Sequence, residues 1–391
     1  MRIVVASALL VLCSVCSAWD AHGHRVVTLM ALDGLVTTDR PTQGGAAPAP
    51  GLVLPGWLMS VDVREQAAYQ AAEPDRIRAQ PTPSLVHVNG PDHYLDLDML
   101  PRWGMTMETM PTLRHRFIKE LTLAREKHPE NFLDYDPTKD PSNEHEWPGL
   151  AAQAVMESYG HLQASFRTLK IIDFVGAQGR DNQIAAAKAN AIYHIGRLSH
   201  FVGDLAQPLH TTIHHHGWVG PPEENPEGFT TDPAIHAYID GTILVHHGIT
   251  YESLRERRVA AITVNDMDPW KDVLAHIVRS HEQVVPLYRM HKDDSLRAEA
   301  GKQFIESRLL DGADMLRAMI SAAWTSSDPT KRDIEYFTSG TPAADRPSLP
   351  EMGNRQIPAK SAAEFEVKQK EREERRKARD AGPSKDSAPG T

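Results

Sequence analysis

The chain has 391 residues, 41% hydrophobic and 24% charged, with a formal net charge of −10. That composition suits a globular chain of one large or two medium domains, and no apolar run approaches the about 18 residues needed to span a bilayer. The acidic balance argues against a long basic groove for nucleic acid, although metal ions can still build a local cationic site.

The first 18 residues, "MRIVVASALLVLCSVCSA", carry one basic residue, an apolar centre and small residues at Ser17 and Ala18. This pattern is expected to be a signal peptide cut between Ala18 and Trp19, which sends the chain to a secreted or periplasmic location. Both cysteines, Cys13 and Cys16, lie inside it, so the mature chain would have no disulfide. All 20 histidines fall in the mature part.

Cleavage would make Trp19 the N-terminus of "WDAHGHRVV". Its free amine and its carbonyl oxygen can chelate a metal, with His24 on the same ion; equally, Trp19 can pack and His24 can face solvent. Apolar residues three and four apart then recur in "VVTLMALDGL", "FIKELTLA", "LAAQAVMESYGHLQASFRTLKIIDFV" and "IAAAKANAIYHIGRLSHFVGDL". "DVLAHIVRSHEQVVPLY" and "FIESRLLDGADMLRAMISAAW" repeat the pattern. This period predicts helices, and with no alternating strands the expected class is all-α. Residues 40–56, rich in Pro and Gly, read as a flexible insertion. The expected globular domain spans 19–328, and 329–391 is expected to be a charged, largely disordered tail.

Near the middle, "LSHFVGDLAQPLH" sets His200 and Asp204 four apart on one helix face. Such a pair alone suits a solvated surface better than a metal. Pro208 should end that helix, leaving His210 free to turn back toward the same cavity. A second pair, His236 and Asp240, follows in "DPAIHAYIDGTIL", where Asp232-Pro233 marks a helix start. By itself this pair also suits an ordinary surface helix. The other histidines, His214 to His216 in the Gly/Pro-rich loop, are expected mainly in solvent. His194 is expected to be packed, and His246 and His247 to lie at a helix end.

Taken in order, "WDAHGH", "PDRIR", "DHYLDLD", "HFVGDLAQPLH" and "HAYID" resemble one superfamily. It unites the zinc-dependent single-strand nucleases of fungi and plants with the bacterial zinc-dependent phospholipases C. The resemblance implies a single all-helical domain with long loops and a cleft holding three zinc ions. One zinc would take Asp75, His93, His200 and Asp204. A second would share Asp204 and add the Trp19 amine and carbonyl with His24. The third would take His210, His236 and Asp240. Nitrogen and carboxylate donors without thiolate suit zinc.

The activity implied is hydrolysis of phosphate esters. Paired cations lower the pKa of a shared water from about 15.7 toward about 7. Asp75 would orient the attacking water and Arg78 would stabilise charge on the phosphoryl group. Tyr94 and Asp96 match the positions where the nucleases stack on and hydrogen-bond a base. The aspartate ending "HAYID" and the short Trp-to-His spacing also match that branch, which favours single-stranded nucleic acid or nucleotides as substrate. Pro74 before Asp75 and Ala206 in "DLAQPLH" depart from the nuclease pattern. The same-chemistry alternative is a phospholipase C acting on phospholipid, and the different-class alternative is a secreted zinc-binding protein without catalysis. Nothing in the sequence calls for an obligate protein partner.

Overall fold

The computed structural model describes residues 19–35, 53–132, 147–257 and 262–339. The chain is all-α as expected. Among the described residues there is no β-strand, and one isolated antiparallel bridge joins Leu95 to Gly149. The helices run α1 (Ala21–Asp33), α2 (Val61–Gln70), α3 (Glu73–Arg78), α4 (Pro83–Asn89), α5 (Arg114–Lys127), α6 (Ala151–Val175) and α7 (Asp181–Asp204). There follow α8 (Ala234–Ala237), α9 (Ile243–His247), α10 (Tyr251–Leu254), α11 (Trp270–His281), α12 (Val284–Lys292) and α13 (Glu299–Thr325). Residues 1–328 form one unit and 329–391 another; in the second, α14 (Lys331–Phe337) starts on a reciprocal Thr330–Asp333 capping box.

Helix α7 organises the first unit, packing on α6, α2, α13 and α1. Ala187, Ala191, Ile195, Leu198 and Val202 repeat at spacings of four, four, three and four, and all are buried. Each fully buried Leu or Val contributes about 1.5–3 kcal/mol, which holds the helix against its four neighbours. Its last two turns are buried on every side, from Leu198 to Asp204. His200 and Asp204 therefore sit where an unpartnered polar group is costly.

Several expected boundaries shift. Helix α7 stops at Asp204, and Pro208 opens a separate 3-10 turn, Pro208–Thr211. Gln207 is extended at φ −87° and ψ 119°, as sterics demand of the residue before a proline. "DVLAHIVRSHEQVVPLY" divides at Glu282 and Gln283 into α11 and α12, with Pro286 in the first turn of α12, where a missing N–H is tolerated. The stretch 40–56 is anchored at its end, because Leu54 is buried in the core. Residues 1–18, most of that insertion and 340–391 lie outside the described residues.

Candidate metal centre

Three elements carry the N-terminal side of the site. The Asp20 carboxylate caps α1, accepting from the His22 and Gly23 amides at 3.0 Å, and the Asp20 amide donates to the Asp240 carbonyl at 3.1 Å. Trp19 and His24 are thereby buried against the end of α7. Gly203 permits this approach: a Cβ there would lie 3.1 Å from His24 Nδ1 and 3.9 Å from the Trp19 ring. Gly241 does the same opposite Asp20, at 2.8 Å from a carboxylate oxygen. One turn along α1, the Thr28 hydroxyl donates to the His24 carbonyl and pairs with Ser199 at 2.7 Å, fixing α1 beside His200.

The structure brings all eight expected His and Asp ligands into three adjoining groups: His24, His200 and Asp204; Asp75, His93 and His200; and His210, His236 and Asp240. Asp204 has its two oxygens on different sides. Oδ1 lies 3.3 Å from His24 Nε2, whereas Oδ2 lies 3.1 Å from His93 Nδ1 and 3.3 Å from His200 Nε2. Asp75 Oδ1 is 3.7 Å from His93 Nδ1 and 4.0 Å from His200 Nε2. In the third group, His236 Nε2 is 3.2 Å from Asp240 Oδ2 and 2.9 Å from His210 Nε2. Donors 2.0–2.1 Å from a tetrahedral zinc stand about 3.3 Å apart, and most of these separations cluster around that edge length.

The donor chemistry also fits cations. His200 Nδ1 donates to the Ala71 carbonyl at 2.7 Å, and His210 Nδ1 to the His93 carbonyl at 2.7 Å. These bonds fix the tautomers, so both Nε2 lone pairs point into the site. The His210 lone pair then meets His236 Nε2 at 2.9 Å, while His236 Nδ1 has no hydrogen-bond partner. Both ring nitrogens of His24, His93 Nε2, Asp204 Oδ1 and Asp240 Oδ2 are likewise buried without one. Native proteins seldom leave such a group of atoms unsatisfied.

Burial pushes the His24 pKa down to about 4 and the His210 pKa to about 3, and His93, His200 and His236 well below the ordinary imidazole value. The imidazoles are therefore neutral and able to ligate. Burial likewise pushes Asp204 and Asp240 well above the carboxylate range, the direction that bound cations reverse.

Asp75 and Arg78 occupy successive turns of α3 with side chains 13% and 12% exposed, 3.3 Å apart. They are the expected site groups that reach the solvent side. Tyr94 and Asp96 follow His93 in a segment tied to the start of α6, with the Asp96 amide donating to Pro148 and Ala151 donating to the Tyr94 carbonyl. Asp96 is 1% exposed, and burial and then Asp98 raise its pKa well above the usual range.

The His214–His216 run is half-buried, contrary to its expected place in solvent. His214 stacks on Trp218 at 3.8 Å, and the His216 ring lies 5.0 Å from His236. The loop is held there because Asp98 accepts from Thr212 and from the Ile213 amide. His194 packs beside His161 at 4.9 Å, and His247 ends α9.

Two supporting groups were not legible in advance. Gln207 donates to Asp240 Oδ1 at 2.8 Å while its own oxygen accepts from Leu209 at 2.6 Å. It thus orients an expected ligand and caps the turn that carries His210; its place between the two segments that carry expected ligands was the available signal. Arg114 bridges Asp92, the residue before His93, to Glu157, a long-range contact with no local signature. Comparison with protein-family models, with curated proteins and with solved structures finds no match to this chain.

Proposed function

We propose that the chain is a secreted zinc-dependent phosphoesterase that hydrolyses phosphodiester bonds of single-stranded nucleic acid or nucleotides. The observation that carries this reading is the set of three adjoining His/Asp groups with Asp204 facing two of them. His24, Asp75, His93, His200 and Asp204 would hold a pair of ions, joined by the Trp19 terminus; His210, His236 and Asp240 would hold the third. Bound zinc would supply Lewis acidity and a water activated near neutral pH.

The chain's own residues do the rest. Asp75, at the mouth, accepts a hydrogen bond from the attacking water and aligns it. Arg78 places a fixed positive charge beside both halves of the site: it lowers the pKa of His93 and His200 on one side and of His210 and His236 on the other. That position suits a phosphoryl oxygen gaining charge. Tyr94 offers a ring and Asp96 a buried carboxyl for a base beside the scissile phosphate.

A phospholipid substrate is favoured by one observation. Helix α4 lies between Arg78 and His93 and exposes Leu85 (37%) and Val88 (57%), a small apolar rim. Metal analysis of processed protein, followed by assays on single-stranded DNA, RNA, 3′-nucleotides and phosphatidylcholine, decides between these readings. Hydrolysis of lipid alone would transfer the assignment to a phospholipase C. Fewer than two bound zinc ions would remove the three-metal site, and bound zinc without turnover on any substrate would leave a zinc-binding protein.

A further inference from the structure

Helix α5 contrasts with the acidic chain around it, with five basic residues against two acidic ones over 14 residues. Phe117 and Leu121 fix it to the core. On the roughly opposite face, Arg116, Lys119 and Lys127 share one stripe at spacings of three and eight, and all three are exposed. Among the described residues none of the three has a carboxylate partner. Both ends of the helix are placed by specific contacts. At the first turn, Arg114 bonds Asp92 at 2.5 Å, one residue before His93, and Glu157 at 2.7 and 2.9 Å. At the far end, half-buried Trp147 stacks on Trp103 at 5.2 Å, and Arg125 lies 5.7 Å from the half-buried Phe132 ring.

A row of exposed cations, on a helix tied at one end to the segment of His93 and at the other to partly exposed aromatic rings, matches what a single strand requires: charge for the phosphates and π faces for unpaired bases. We propose that the exposed face of α5 is a docking track, about 21 Å long, for the backbone of a single-stranded nucleic acid whose scissile phosphate lies in the metal cleft. This rests on the nuclease reading for its occupant. It also qualifies the expectation from net charge, because the basic surface is one helix long.

The test uses the zinc-loaded protein and Arg116→Ala/Lys119→Ala/Lys127→Ala. Binding of a fluorescent phosphorothioate-linked thymidine 20-mer is followed by anisotropy between 50 and 200 mM salt, beside a 3-mer and hydrolysis of bis(4-nitrophenyl) phosphate. The triple variant should bind the 20-mer at least about 10-fold more weakly. Its log–log salt slope should be shallower by about 2, from three lost contacts at about 0.7 each. The 3-mer and the small diester should be unaffected. Glu120→Lys, which adds a cation beside the stripe, should steepen the slope.

An unchanged 20-mer affinity and slope would overturn the track, as would a wild-type protein that does not bind the 20-mer. Loss of binding to phosphatidylserine vesicles with 20-mer binding intact would overturn it in favour of an anionic membrane. Binding that depends on the stripe without hydrolysis of any oligonucleotide would keep the track and remove the nuclease reading. Oligonucleotide hydrolysis with no dependence on the stripe would do the reverse.

Discussion

His24 Nε2 lies 3.3 Å from Asp204 Oδ1, and the other oxygen of the same carboxylate faces His93 and His200. One side chain at the end of α7 therefore joins an expected ligand from α1 to His200 of its own helix and to His93 from one further segment. Asp204→Asn keeps the shape and removes the charge. It should release the metal pair, retain the ion at His210, His236 and Asp240, and lower phosphodiesterase activity by at least about 100-fold, the upper end of what losing even an outer-shell partner costs. Metal content measured per chain checks this, and a full complement of zinc in the variant would contradict the shared role.

Gln207→Ala removes the bond to Asp240 and the cap on Leu209 together. The third ion should be held about 10- to 100-fold more weakly, with a stability loss of about 1–3 kcal/mol from the buried partners left unpaired. Competition with a zinc chelator gives the first quantity and denaturant melts the second. Unchanged chelator resistance would show that Asp240 needs no such support.

The entry of the N-terminal segment makes a separate prediction. Trp19 is wholly buried and the Asp20 amide donates to the Asp240 carbonyl, which holds the Trp19 main chain beside the segment that carries an expected ligand. One extra residue retained before Trp19 should remove one metal and most of the activity, and exact processing should restore both. Full activity with a tag in place would show that the Trp19 amine is not a ligand.

Chelation should destabilise the fold. The unpaired His24 Nε2, Asp204 Oδ1 and Asp240 Oδ2 face the three groups, where bound ions would satisfy them, and a ligand that binds only the native state raises Tm. Tm should fall with EDTA and recover with zinc. Magnesium, which prefers oxygen donors and octahedral geometry, should not restore it.

A pH effect is expected from outside the metal groups. Burial, then His161 and Arg197, lower the His194 pKa to about 4, against about 6.5 in an unfolded chain. Between those values the unfolded chain binds more protons, so the contribution of His194 is complete above about pH 6.5 and is lost as pH falls toward 4. His194→Gln should lose less Tm than the wild type between pH 7 and pH 4.5. Equal losses would show that His194 does not titrate this way.

The periodicity of α6, α7 and α13 and the ligand spacings were readable from residues alone, because a helix repeats every 3.6 residues and local pairs such as His200–Asp204 and His236–Asp240 follow from that geometry. The His-x-x-x-Asp pairs could nevertheless have faced solvent, since nothing local fixes which helix face is buried. Only the tertiary structure decided that. Packing around α7 buried its whole last turn, Gly203 and Gly241 left space for the 19–24 segment, and the Pro208 turn brought His210 against His236. It also drew the His214–His216 loop inward through Asp98, and tied α5 to the site through Arg114. These contacts join residues tens to hundreds of positions apart, and their energies depend on neighbours that no short stretch of sequence contains.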